Sequence, residues 1–131
     1  MKKALILAGA AVMLLALVSN ASAQTSKNDG VMLFKQYCAT CHGLDGKGAG
    51  PSAQALKKAP TDLTTLQAKG QKFPGERVVH SIDGTGETGG AHGNRDMPIW
   101  GQAFRYTKGT PPAELSITRV VSYIESIQVN K

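Results

Sequence analysis

The chain has 131 residues, of which 41% are hydrophobic and only 5% aromatic, and its 15 basic residues exceed its nine acidic ones by a formal charge of +6. This length suits one domain with a modest core. No basic run is interleaved with stacking aromatic residues, so the composition argues against a nucleic-acid-binding protein.

The N-terminus has the three parts of a secretory signal peptide. Two lysines precede an uninterrupted apolar run, Ala4 to Val18, and the cleavage site Ala21-Ser22-Ala23 follows. We therefore expect residues 1–23 to be removed and residues 24–131 to form a domain in the periplasm. A retained membrane anchor is the alternative, which the short apolar run and the cleavage site disfavour.

Cleavage changes the charge only slightly. Removing Lys2 and Lys3 leaves 13 basic residues against nine acidic ones, a formal charge of +4. Such a mild excess suits a soluble protein that meets partners with acidic surfaces, and we expect no stable membrane insertion after cleavage.

The first predicted helix leads into the most informative motif. Gly30, Phe34 and Tyr37 fall on one helical face, and Gly30 would let another helix cross closely. Directly after it, Cys38-Ala39-Thr40-Cys41-His42 spells C-x-x-C-H, the pattern that attaches a c-type haem. Two thiols three positions apart on a helical turn can bond two vinyl groups on one porphyrin edge, and the next residue then places an imidazole under the iron.

Other interpretations of the two cysteines fit less well. A thioredoxin-like pair needs a βαβ setting, and a zinc site needs a second pair of ligands, whereas His80 and His92 lie twelve residues apart. A disulfide that closes so short a loop is rarely used for stabilisation. We therefore predict one covalent haem c per chain, bonded to Cys38 and Cys41, with His42 as the proximal iron ligand.

Glycine and proline dominate the segment after the motif. Residues 43–51 contain four glycines and a proline, which predicts a loop with special backbone angles. Further along, the pattern predicts a short helix at Ser52–Lys58, a turn or extended segment at Asp62–Thr64, and a helix at Gly75–Ile82.

The last helix has the clearest periodicity. Its start is marked by prolines at 111 and 112 and by Ser116, and it runs to about Gln128 with a helical apolar stripe at Ile117, Val120, Val121, Ile124 and Ile127. The preceding segments, 83–96 and 104–112, are predicted to be a glycine-rich loop and an irregular stretch. No strand pair has a hairpin signal, so the predicted fold is all-α, with short helices and long loops.

The opposite face of the haem needs a second axial ligand. Met97 stands in a predicted loop directly before Pro98, which fixes the local backbone and suits a rigidly held thioether sulfur. Met32 lies within the first predicted helix and is interpreted as a core residue. His92 is the alternative distal ligand, and Trp100 either faces the haem or belongs to the core.

Taken in order, these motifs resemble a bacterial class I monohaem cytochrome c. They are the C-x-x-C-H motif after an N-terminal helix, Gly50-Pro51, Met97-Pro98-Ile99-Trp100-Gly101, and an amphipathic C-terminal helix. The resemblance implies a cytochrome c fold with crossed terminal helices, Met97 as the distal ligand, and a Pro51 carbonyl that accepts the ring proton of His42.

The resemblance also implies an electron-transfer protein rather than an enzyme. We expect a soluble periplasmic carrier whose partners are redox proteins. The alternative is a haem relay subunit of a dehydrogenase or oxidase complex. A third interpretation, a haem enzyme or gas sensor without methionine on the iron, is the least favoured.

Overall fold

The computed structural model describes residues 28–85, 97–107 and 111–130. Within these ranges the chain is helical and contains no β-strand, which confirms the all-α prediction. The α-helices are α1 over residues 28–37, α2 at Ala39–His42, α3 at Gly75–Asp83, α4 at Trp100–Tyr106 and α5 at Ala113–Ser126. Two 3₁₀ turns, Ala53–Ala55 and Leu63–Thr65, lie between α2 and α3. The signal peptide predicted at 1–23 lies outside the described residues.

Helices α1 and α5 cross at a glycine, as the sequence predicted. A Cβ atom on Gly30 would meet the backbone carbonyl of Arg119, so only glycine permits this close approach. One turn further along, the rings of Phe34 and Tyr123 lie 4.9 Å apart. An ion pair of 3.0 Å between Arg119 and Asp29 joins the same two helices at the surface.

The core is built from apolar side chains on all five α-helices. On α5 the stripe appears at helical spacing because Ile117, Val120 and Ile124 recur every three or four residues. Helix α3 contributes Val78 and Ile82 against it, and the remaining buried apolar side chains are Leu33, Phe34, Cys38, Ala39, Phe104 and Ala113. Within the part of the chain that the structure describes, every helix is too short or too polar to span a bilayer.

The structure corrects several sequence predictions. Residues 104–112 were predicted to be irregular, but Trp100–Tyr106 is a helix. Only Ala53–Ala55 of the predicted helix Ser52–Lys58 forms, as one 3₁₀ turn. The prediction that Met32 belongs to the core is wrong, because its side chain is 66% exposed.

Candidate functional site

The C-x-x-C-H motif forms a single helical turn. Cys38 caps α2 in a right-handed helical conformation (φ −110°, ψ −36°). Its carbonyl oxygen accepts hydrogen bonds from the backbone N–H groups of Cys41, at 3.2 Å, and of His42, at 2.9 Å. Residues three apart on a helix lie on the same side, so the two cysteines share one face of the turn.

Both thiols are free of a disulfide. Cys38 is buried, whereas Cys41 is half-buried. Burial raises the pKa of the Cys38 thiol to about 12, and the neighbouring Cys41 adds to the rise. Burial therefore favours the neutral form of an unmodified Cys38 thiol, and the structure contains no disulfide between the two cysteines.

The imidazole of His42 is oriented by a backbone carbonyl. Its Nδ1 atom lies 3.0 Å from the carbonyl oxygen of Thr61. Because a carbonyl can only accept, Nδ1 carries the proton and donates it, which leaves Nε2 as the ring atom with a lone pair for a metal. Burial lowers the pKa of His42, and the hydrogen bond to Thr61 opposes this only in part. The ring is thereby favoured in the neutral form that binds metals.

The carbonyl that meets His42 differs from the expected one. The resemblance implied Pro51, but Pro51 is exposed and the ring nitrogen pairs with Thr61 instead. The reason lies in the flanking backbone, which folds back onto α2: the N–H of Gly50 donates to Cys41 and that of Ser52 to Thr40, at 3.0 and 2.9 Å. The loop at 50–52 is therefore hydrogen-bonded to carbonyl groups of α2. A later segment, at Thr61, supplies the carbonyl that contacts the imidazole.

The glycine-rich loop after α2 lets that later segment approach. Gly48 has a φ of +84°, and a Cβ atom there would meet the carbonyl of Pro60, directly before Thr61. Its N–H donates to the carbonyl of His42 at 2.7 Å. Leu63, just beyond Thr61, donates its N–H to Gly46 at 2.7 Å. Gly46 thus hydrogen-bonds to the segment that carries the Thr61 carbonyl, and Gly48 lets that segment pass close by.

A capped turn completes the support behind Thr61. The carboxylate of Asp62 accepts hydrogen bonds from the backbone N–H and the hydroxyl of Thr64, at 2.8 and 2.7 Å. Both bonds hold the pKa of Asp62 below its usual value, and the bond from the Thr64 hydroxyl has the larger effect. The site role of Thr61 and Asp62 was not predicted from the sequence, although the D-x-T spacing is a recognisable cap signal.

Met97 stands at the start of the segment that enters α4. Its side chain is half-buried and packs against the hydrophobic core. Helix α4 is held by an aromatic cluster, in which Trp100 lies 5.5 Å edge-on from Tyr37 and 6.1 Å from Phe104, measured between ring centroids. Of the two roles considered for Trp100, core packing is the one these contacts show.

Of the two remaining histidines, only His80 lies within the described residues. His80 is exposed on α3, with its Nδ1 atom 2.6 Å from the hydroxyl oxygen of Thr85. His92, the alternative distal ligand, lies outside the described residues. Among the residues that are described, no group of three or more His, Cys, Asp or Glu side chains could hold a metal ion.

The donor set fits a covalent haem. Cys38 and Cys41 offer two free thiols on one helical face, and His42 offers a neutral imidazole with its Nδ1 already engaged. Thioether attachment and an Nε2 ligand require this chemistry.

Comparison with known families adds an independent line of evidence. A family model described as cytochrome C oxidase, cbb3-type, subunit III matches residues 25–108, more than half of the chain. The matched range contains the C-x-x-C-H turn, Thr61 and Met97, and it ends before α5. No curated protein and no solved structure matches the chain.

Proposed function

Because this chain belongs to the family described as cytochrome C oxidase, cbb3-type, subunit III, and is therefore a c-type cytochrome, we propose that it is a periplasmic one-electron carrier. One observation carries the proposal: a helical turn presents two free thiols next to a neutral imidazole that Thr61 holds by its Nδ1 atom. The covalent haem c that the family implies supplies a one-electron couple at its iron.

Each residue of the site has a definite task in this proposal. Cys38 and Cys41 would hold the porphyrin by thioether bonds, and His42 would bind the iron through Nε2. The Thr61 carbonyl fixes the ring orientation and raises the basicity of the imidazole. Met97 would supply its thioether sulfur as the second iron ligand, a donor that favours the ferrous state.

Two retained axial ligands suit a carrier better than an enzyme. If His42 and Met97 both bind the iron, no coordination position would be open to oxygen or peroxide. The two redox states would then need little rearrangement, which would favour fast electron transfer. Carbon monoxide binding to the reduced protein at neutral pH would instead indicate an open position and the haem enzyme or gas sensor interpretation.

Docking of the carrier is proposed to be weak and guided by charge. The expected mature chain carries +4, so acidic redox partners would be attracted to it. Signal-peptide cleavage after residue 23 would deliver it to the periplasm. Association rates with such a partner should fall as ionic strength rises, whereas salt-independent rates would reject charge steering and leave the carrier role intact.

An optical spectrum of the purified protein tests the ligand assignment. The reduced form should show a c-type α-band, and the oxidised form a weak sulfur-to-iron band at the red end of the spectrum. Met97→Ala should abolish the second band. Met32→Ala is the matched control, because Met32 is exposed on α1, and it should keep the band. A wild-type protein without this band, or a band that survives in Met97→Ala, would contradict the assignment.

A second candidate function is favoured by the family's own description. That description refers to a subunit of an oxidase, so the haem of this chain could serve as an internal relay in a larger periplasmic complex. Co-purification with a larger oxidoreductase subunit at stoichiometric amounts would favour the relay. A chain that purifies alone and reduces or oxidises a soluble partner would favour the carrier.

A further inference from the structure

A buried amide just beyond α5 makes three hydrogen bonds. Gln128 is only 5% exposed. Its Nε2 donates to the carbonyl oxygens of Leu63, at 2.6 Å, and Ile124, at 2.8 Å, while its Oε1 accepts from the backbone N–H of Gln67 at 2.9 Å. The side chain therefore joins the end of α5 to both sides of the turn at 63–67.

That turn is continuous with the support of the imidazole. Leu63 begins the 3₁₀ turn Leu63–Thr65, which the carboxylate of Asp62 caps, and Thr61 directly precedes this cap. The Thr61 carbonyl in turn accepts the Nδ1 proton of His42. Only one residue separates the carbonyl held by Gln128 from the carbonyl that holds the ring.

Other hydrogen bonds attach the same turn to the C-terminus. The backbone N–H of Val129 donates to the carbonyl of Thr64 at 2.9 Å, and Thr64 is itself buried. The more exposed Asn130 reaches the carbonyl of Gln67 only at 3.4 Å. Gln128 thus provides the short side-chain contacts of this junction, and Asn130 a long one.

Packing alone does not require glutamine at this position. Burying an amide is unfavourable unless its polar atoms are paired, and an apolar side chain of similar length fills the same volume without that demand. All three bonds of Gln128 go to backbone groups, and two of these lie in the turn behind Thr61. The amide thereby fixes the position of backbone, which an apolar side chain cannot do.

We propose that Gln128 is a positioning residue for the proximal ligand: through the turn at 62–67 it holds the Thr61 carbonyl against His42 and thereby sets the redox potential. The inference rests on the proposed function, in which His42 binds haem iron. A ring whose Nδ1–H is firmly bound donates more strongly to iron, and a stronger donor favours the ferric state.

The test is the midpoint potential of haem-loaded Gln128→Met, which keeps the side-chain length and removes the three hydrogen bonds. We expect a more positive potential, by an amount that corresponds to an about threefold lower ferric-to-ferrous ratio at a fixed solution potential. This change is smaller than the roughly 10- to 100-fold loss of metal affinity or activity that follows when a hydrogen-bond partner of a metal ligand is removed outright. Nuclear magnetic resonance of the ferric protein should also show faster solvent exchange of the His42 Nδ1 proton.

Two control variants separate positioning from general loosening. Ser116→Ala removes one buried hydrogen bond, from the Ser116 hydroxyl to the Pro111 carbonyl at 3.1 Å, at the opposite end of α5. Asn130→Ala removes the long contact beside Gln128. Both should keep the wild-type potential and the wild-type exchange rate, whatever stability they lose.

The outcomes are distinct for each claim. A Gln128→Met protein whose potential and Nδ1 exchange match those of the two controls, or whose potential becomes more negative, overturns the inference. If Gln128→Met does not accumulate with haem, Thr64→Val loosens the same turn without changing its charge, because it removes the hydrogen bond from the Thr64 hydroxyl to Asp62. It must then shift the potential in the positive direction, or the inference fails. Absence of covalent haem from the wild-type chain would instead overturn the proposed function.

Discussion

The Nδ1 atom of His42 and the carbonyl oxygen of Thr61 lie 3.0 Å apart, although 19 residues separate them in sequence. The contact between them is made by backbone and not by the threonine side chain. Orientation of the ring therefore depends on where the chain runs at residue 61 and not on which side chain stands there.

Thr61→Ala should consequently have almost no effect on the haem. The threonine side chain belongs to an exposed residue, and its removal leaves the carbonyl in place. We expect unchanged optical bands and a midpoint potential equal to that of the wild type, measured by redox titration. A shift as large as that expected for Gln128→Met would show that the side chain, and not the carbonyl, governs the imidazole.

Gly30→Ala should destabilise the crossing of α1 and α5. The new Cβ atom meets the Arg119 carbonyl, so the helices must separate, at a cost of about 1–3 kcal/mol in the free energy of unfolding. Chemical denaturation of the haem-loaded protein measures it. Gly75→Ala on α3 is the control, because its Cβ atom would make only ordinary contacts of 3.8 Å with Phe73. Equal free energies of unfolding for the two variants would contradict the close approach of α1 and α5 at Gly30.

Phe34→Ala should cost far more stability than Met32→Ala, two residues away on α1. Phe34 is fully buried and packs 4.9 Å from Tyr123, so truncation should lower the free energy of unfolding by about 3–5 kcal/mol. Met32 is 66% exposed, and its truncation should change that free energy by less than about 0.5 kcal/mol. Denaturant titration of both variants decides the point. If Met32→Ala lowered the free energy of unfolding more than Phe34→Ala, the buried face of α1 would be the one that carries Met32, contrary to the structure.

Asp62→Ala should lower stability at neutral pH by an amount that vanishes in acid. Because the pKa of Asp62 lies below its ordinary value in the folded chain, its carboxylate stabilises the fold above that ordinary value. This contribution is lost as the pH falls through the lowered pKa. Denaturation of wild type and variant at a series of pH values should show two curves that converge on acidification. A difference that grows toward acid would have the wrong sign.

Local sequence accounts well for the attachment turn and for the helix crossing. The spacing of Cys38, Cys41 and His42 sets one helical turn by itself, and the close contact at Gly30 follows from a residue that has no Cβ atom. The stripe on α5 likewise predicted a long helix, which ends at Ser126, about two residues before the expected end. These features depend on residue types at short separations.

What the sequence did not predict depends on distant parts of the chain. The partner of His42 is a backbone carbonyl, which has no side-chain signature, so Pro51 and Thr61 could not be told apart without the path of the loop. Helix α4 was missed because tertiary packing of Trp100 and Phe104 around Tyr37 stabilises it, although the four-residue spacing of these two rings is a weak helical signal.

The central claim, a porphyrin joined by sulfur to this polypeptide, is tested most directly by the intact mass of the purified protein after acid–acetone extraction. We predict a chain that begins at residue 24 and carries the mass of one haem, with the colour retained in the protein precipitate. Cys38→Ala combined with Cys41→Ala should lose both the added mass and the colour. A wild-type chain with no added tetrapyrrole mass, or pigment that passes completely into the acetone, would contradict the account.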